Sequence, residues 1–98
     1  MYYKQIEGEV LEENLEYFNI IDVRSREEFA DGHVKNAINI PYDEVLERLE
    51  EIPQDKPIVM YCRTNNRSEF AATLLIQAGL SNIILAPGVA FYDYDFVK

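Results

Sequence analysis

The reactive side chains of this sequence concentrate in one short segment, Cys62-Arg63-Thr64-Asn65-Asn66-Arg67-Ser68, which contains the only cysteine. An apolar strand-like run, Pro57-Ile58-Val59-Met60-Tyr61, leads into it, and a helical stretch, Glu69 to Ala78, leads out. Asn66, with Glu69 three positions on, makes an N-cap pair for that helix. The spacing therefore predicts a cysteine at a strand end, facing a helix N-terminus. Consecutive amides in such a loop point inward and form an anion nest. A free thiol with pKa ~8.5 falls to roughly 3.5–7.5 at helix N-termini beside cations. Arg63 and Arg67 supply the cations here. The segment predicts a nucleophilic thiolate at neutral pH, in a cup that binds a small anion. The competing reading makes Cys62 a small buried hydrophobe that merely ends the strand. Two arginines, two asparagines and a threonine are hard to bury, which favours the chemical reading.

The elements that must position this loop alternate. Continuous apolar runs at 17–23, 57–62 and 82–85 read as strands buried on both faces. Ala37-Ile38-Asn39-Ile40, stopped by Pro41, is a weaker fourth strand, and Tyr2 to Ile6 supplies an edge. In the helix from Glu69 to Ala78, the residues Phe70, Ala71, Leu74, Leu75 and Ala78 form the inward stripe, and Gly79 sits at the C-terminal cap. A second helix, Asp43 to Glu51, places Val45, Leu46 and Leu49 inward and its acidic residues outward. Ser25 followed by Glu28 is a capping box for a short helix over Arg26 to Ala30, and Glu9 to Glu16 forms another. Strand-helix alternation at this spacing predicts a mostly parallel α/β sheet with helices on both faces. In such sheets the active crevice lies beyond the carboxyl ends of the strands, where Cys62 stands.

Ninety-eight residues make one domain, 48% hydrophobic and 28% charged, which fits a globular protein and excludes wholesale disorder. The net charge of −9 argues against nucleic acid and anionic membrane surfaces as partners. It also disfavours the approach of anionic substrates at low salt. A lone cysteine builds neither a disulfide nor a thiolate metal cage, so a reducing cytoplasm is the expected location. The first residues lack the basic-then-apolar pattern of a leader, and no apolar stretch is long enough to span a bilayer.

The loop resembles the active-site loop of rhodanese-type sulfurtransferases, commonly Cys-Arg-Ser-Gly-Asn-Arg-Ser. Upstream, Ile21-Asp22-Val23-Arg24, Glu28-Phe29, Gly32-His33-Val34 and Ala37-Ile38-Asn39-Ile40-Pro41 are similar to the family's Asp-x-Arg and Gly-His-Ile-x-Gly-Ala-x-Asn-Ile-Pro signatures. The resemblance implies a rhodanese-like fold of about five mostly parallel strands. It implies a double displacement in which Cys62 takes the outer sulfur of a donor such as thiosulfate and becomes a persulfide. A thiol, cyanide or a protein partner then removes that sulfur. No metal or other cofactor is implied. Arg63, Thr64, Asn65, Asn66 and Arg67 would form the anion cup, and Ser68 would open the helix. Arg24 corresponds to a basic donor contact, and an ion pair with Asp22 or Glu28 is an equal alternative for it. A different class of function also fits: a binding or sulfur-relay module with little small-molecule turnover.

Departures from the family pattern are informative. Asn65 and Asn36 stand where glycines are usual, and asparagine tolerates left-handed backbone best among the other residues. After the last strand, Pro87-Gly88 and Phe91 replace the usual Gly-Gly and tryptophan, leaving Gly88 as a shape residue and the terminal helix short or missing. The loop is Cys-x4-Arg, one residue shorter than the Cys-x5-Arg cradle of cysteine-dependent phosphatases, and so lacks one phosphate-binding amide. His33 reads as a turn residue bonded to the scaffold rather than as a base for Cys62. The tail Phe91-Tyr92-Asp93-Tyr94-Asp95-Phe96 reads first as a cover that hides Phe91 and Phe96 in the core, with a contact surface as the alternative.

Overall fold

Alternation along the central strands divides their side chains between two cores. In a computed structural model, which describes residues 3–98, the central strand is β5 (Ile58–Tyr61), between β2 (Asn19–Asp22) and β6 (Ile83–Leu85). Ile58, Met60 and the following Cys62 share one face with Ile21, Val23, Ile83 and Leu85. Helix α3 (Asn66–Gln77) covers that face with Ala71, Ala72 and Leu75. Val59 and Tyr61 point the other way with Ile20, Ile84 and Ala86, where they meet Leu11 of α1 (Gly8–Glu13), Phe29 of α2 (Arg26–Asp31) and Tyr94. Burial on both faces explains the unbroken apolar runs in the sequence. The sheet is completed by β1 (Lys4–Gln5) beside β6 and β4 (Ile38–Asn39) beside β2. Its order is β1-β6-β5-β2-β4, and all pairs are parallel. Helices cover both faces of this five-stranded parallel sheet, the layered α/β arrangement that the alternation predicts. Tyr2, included in the expected edge strand, lies outside the described residues. Among the described residues, no helix is long and apolar enough to cross a membrane.

Three local expectations are corrected. The stretch 43–51 is not one helix but two 3₁₀ turns, Tyr42–Glu44 and Leu49–Glu51, with Val45 buried and Leu46 exposed. Leu46 falls in the turn that joins them, closed by Arg48 N–H on Glu44 O at 3.1 Å, and the Arg48 side chain pairs with Glu44 and Glu51. In α3, Phe70 is 52% exposed and Ala78 is also exposed. The buried residues are Ser68, Ala71, Ala72 and Leu75, spaced i, i+3, i+4, i+7. That phase puts position 70 on the opposite side, where its ring meets Tyr42 edge-on at 5.9 Å. The helix closes as expected around Gly79, whose φ of 99° allows Leu80 N–H to reach Leu75 O (3.0 Å) and its own N–H to reach Ile76 O (3.0 Å).

The tail is the third correction. No helix follows β6 among the described residues. The chain turns at Gly88 and ends in β7 (Phe96–Val97), antiparallel to β3 (His33–Val34). Phe91 is 63% exposed and Phe96 is 39% exposed, so neither is hidden; Tyr94 is the residue that enters the core. Its ring packs near Tyr61, and its hydroxyl donates to Pro87 O at 2.7 Å, which satisfies the one polar atom that entry buries. Phe91, in the turn after Gly88, has no such route inward. Glu12 fastens the tail to α1, accepting from Tyr92 Oη (2.9 Å) and from Asp95 N–H (2.6 Å). Glu12→Ala is expected to destabilise by about 1–2 kcal/mol and to speed hydrogen exchange at the β3–β7 amides. Unchanged exchange there would show that the tail is held by Tyr94 alone.

Candidate active site

Ser25 accepts from Glu28 N–H at 3.2 Å, and the Glu28 carboxylate accepts from Ser25 N–H at 3.0 Å, so the expected capping box starts α2. Glu28 has a second task. Its two oxygens take both terminal nitrogens of Arg67, at 2.8 and 3.1 Å, tying α2 to the first turn of α3. The fork-to-fork bond with Arg67, assisted by Ser25 and opposed by burial, holds the Glu28 carboxyl at about 2. Arg67 is raised in turn, mainly by Glu28, with a smaller contribution from Cys62.

Cys62 lies at the C-terminal end of the central strand and is fully buried. Its Sγ accepts from Ser68 N–H at 3.3 Å and stands 3.4 Å from Ser68 Oγ, which donates to Asn65 O at 3.1 Å. Ser68 therefore does not open the helix. It is the third helical residue, and its inward position fixes the phase of α3. The cap is Asn65 rather than Asn66, and Asn65 carries no side-chain cap bond. Instead its Oδ1 accepts from Gly88 N–H at 2.7 Å. Asn65 has φ 77° and Asn36 φ 74°, so both asparagines occupy the left-handed conformation expected of a glycine substitute. Among the described residues, the amides of Arg63, Thr64, Asn65, Asn66 and Arg67 donate to no protein acceptor. These five amides run from the buried Cys62 into the first turn of α3 and are left free to meet a ligand. The side chains of Arg63, Thr64 and Asn66 are exposed.

Gly88 presses on this loop from the turn that follows β6. A Cβ there would overlap the Arg63 carbonyl and the Thr64 amide. Val89 N–H and Ala90 N–H bond Cys62 O (2.9 Å) and Arg63 O (3.0 Å). Gly88 is thus a shape residue, because backbone meets backbone.

Arg24 takes the ion-pair alternative. Its Nε bonds both oxygens of Asp22 (3.0 and 3.1 Å), and its Nη2 bonds Asp22 Oδ2 and Gly32 O, each at 2.7 Å. Burial works against the guanidinium charge, but hydrogen bonds and attraction from Asp22 outweigh it and raise the pKa. Residues 22 and 24 fall on the Tyr61 side of the sheet, opposite Cys62. Tyr61 Oη donates to Asp22 Oδ2 at 2.7 Å and accepts from Val34 N–H at 3.0 Å. His33 stacks on Phe29 with its Nδ1 3.0 Å from Phe29 O, so it bonds the scaffold, within β3 rather than in a turn. Sequence reasoning missed the Tyr61 contacts and the Glu28–Arg67 pair, while the place of Gly88 as a shape residue was anticipated. For Glu28–Arg67 the signal was available, an acid and a base each at a helix start.

The model of the rhodanese-like domain matches residues 7–93. The chain belongs to that family. A sulfurtransferase of Allochromatium vinosum is 32% identical over 83 residues, covering 82% of this chain and 78% of that protein. Bacillus subtilis YqhL, an uncharacterized protein, is 42% identical over 64 residues, covering 65% of this chain and 51% of its own length, so the chain spans about half of that relative. The crystal structure of a rhodanese-related protein from Thermoplasma volcanium superposes with a TM-score of 0.86 at 33% identity, over 97% of this chain and 98% of that one. For this rhodanese-like chain, two tests address the site's frame. Gly88→Ala is expected to cost about 1–3 kcal/mol in urea unfolding and to make Cys62 react faster with alkylating agents, since the loop must move. The second test concerns Glu28. Its folded pKa is depressed, so its stabilisation is complete above the usual 4.5 and lost as pH falls towards about 2. Glu28→Gln should lower stability at pH 7 by about 1–2 kcal/mol, less than the full shift because solvent reaches both side chains, and should flatten this acid limb.

Proposed function

We propose that this chain is a sulfurtransferase that moves sulfane sulfur through a persulfide on Cys62. The observation that carries the reading is the sulfur itself: it receives Ser68 N–H at 3.3 Å at the start of α3, and the five loop amides that follow it in the chain have no protein acceptor among the described residues. Loop amides without a protein acceptor are free to stabilise anionic charge on a sulfur or on a departing group. In the first step the Cys62 thiolate attacks the outer sulfur of the donor. With thiosulfate, the S–S bond breaks, sulfite leaves with the electron pair, and Cys62 becomes a persulfide anion. In the second step a thiol or cyanide attacks the outer persulfide sulfur, and the Cys62 thiolate returns. No general base is required once the thiolate stands in the cup. The backbones of Arg63, Thr64, Asn65, Asn66 and Arg67 bind the anion. Arg24 contributes through Asp22 and Tyr61, which hold the strand ends. A reducing cytoplasm suits an unpaired cysteine nucleophile.

The second reading is a sulfur relay to a protein thiol. Phe91 favours it, exposed one residue beyond the Ala90 N–H that bonds the loop, as an apolar rim for a partner. Turnover with cyanide or small thiols separates enzyme from relay. The primary test is intact mass before and after thiosulfate or glutathione persulfide. A gain of one sulfur atom, reversed by reductant and absent in Cys62→Ser, is the expected result, with the variant folded as the parent. Equal sulfur transfer by Cys62→Ser would end the proposal.

A further inference from the structure

Of the three arginines expected at the site, two have no free positive charge, and one of these, Arg24, also lies on the face opposite Cys62. Arg24 is neutralised by Asp22 and Arg67 by Glu28, each through a two-point bond at 3.1 Å or less. Among the described residues, Arg63 alone of the three site arginines makes no ion pair, and it is exposed. Glu28 is fixed from behind by Ser25 N–H, so it cannot swing away without giving up the capping box. Glu69 adds an exposed carboxylate beside the loop, on the wall of a shallow cavity of about 160 Å³ that also includes Asn65 and Pro87. A doubly charged donor meets amide dipoles and one solvated arginine here, within a protein of net charge −9.

We propose that Glu28 determines donor specificity by holding Arg67 out of anion binding, so that the site takes organic persulfides in preference to thiosulfate. The inference rests on the sulfurtransferase reading above and names its donor class. With an organic persulfide, the Cys62 thiolate attacks the outer sulfur of RS–SH. The S–S bond breaks, Cys62–S–SH forms, and RS⁻ leaves with the electron pair. The reacting perthiol group brings at most one negative charge and the leaving thiolate carries one, which the loop amides can meet. Thiosulfate brings two charges, and sulfite leaves with two.

Glutamine also serves as the third residue of a capping box, so Glu28→Gln keeps the start of α2 while removing the charge that holds Arg67. The experiment measures kcat/KM for thiosulfate and for glutathione persulfide in the parent, in Glu28→Gln and in the double variant Glu28→Gln/Arg67→Gln. The parent should favour the persulfide. Glu28→Gln should raise thiosulfate efficiency about tenfold, the scale of one charge-assisted hydrogen bond, with the persulfide value changing far less. The double variant should lose that gain, because the freed guanidinium produces it. A gain that survives in the double variant overturns the inference, since removal of a carboxylate alone would then explain it. An unchanged donor ratio in Glu28→Gln overturns it equally. Arg67→Lys gives an independent check: it keeps the charge but cannot form the two-point bond, so thiosulfate efficiency should rise. A fall would count against the proposal. Failure of the parent to transfer sulfur from either donor would refute the sulfurtransferase reading itself. Transfer that merely lacks this donor preference would refute only the role of Glu28.

Discussion

Asp22 is a carboxylate with no access to water, and most of the site's frame follows from satisfying it. A buried charge stays only when paired and fully hydrogen-bonded, and removing one partner of such a pair typically costs about 3–5 kcal/mol. Arg24 and Tyr61 meet that demand, with Arg24 N–H closing a short turn on Asp22 Oδ1 at 2.9 Å. The pairing aligns two neighbouring strand ends: Asp22 stands opposite Tyr61 in register, and Asn39 clamps Asp22 O and Arg24 O from the next strand. Tyr61 then has no freedom, because its hydroxyl bonds both Asp22 and the Val34 amide. One residue on, the pleat turns Cys62 to the opposite face. The sulfur is aimed by a charge network it never touches.

The loop itself is held at three points of different kinds. Ser68 grips the sulfur, Asn65 grips the Gly88 amide, and the amides of Val89 and Ala90 grip the carbonyls of Cys62 and Arg63. Asparagine at position 65 does more than tolerate φ 77°. A glycine there would allow the same backbone but would supply no Oδ1 to fix the Gly88 turn. The close approach of Gly88 and the side chain of Asn65 are therefore one joint, and the joint faces the cup. Preorganised amides cost no reorganisation when charge arrives, and that is the property an anion cup requires.

Much of this was legible in the sequence, for identifiable reasons. Strands buried on both faces leave continuous apolar runs, so β2, β5 and β6 were plain. The capping box of α2 and the Gly79 cap of α3 are local signals that need no tertiary context. The loop could be read because charged and amide side chains rarely follow a buried strand without purpose. The phase of α3 could not be read. Phe70 is the largest apolar residue in its stripe, and only the Ser68–Cys62 contact rotates it outward. The tail misled for a similar reason: ranking by hydrophobicity selects Phe91 and Phe96, whereas the core takes Tyr94, whose hydroxyl finds the Pro87 carbonyl across a turn. The role of Arg24 was open because both of its readings use the same strand end. Face alternation and the register with Tyr61 decide where its side chain goes.

The arrangement at Glu28 joins folding and electrostatics in one side chain. As a capping residue it satisfies the amide of Ser25 at the start of α2; as a counter-ion it holds the first turn of α3. The two tasks reinforce each other, because a carboxylate held in place by one bond loses less entropy in making the next. The same economy limits what the cup offers. A guanidinium bound at both terminal nitrogens has little left for a ligand, so the loop's affinity for anions falls back on backbone dipoles. Dipoles stabilise a single charge well at contact distance, but they fall off faster with distance than a net charge does. They therefore give little long-range attraction against the field of an acidic protein. On the proposed reading, the contact that secures the helices beside the sulfur also makes the cup a weaker attractor for highly charged ligands than its arginine count suggests.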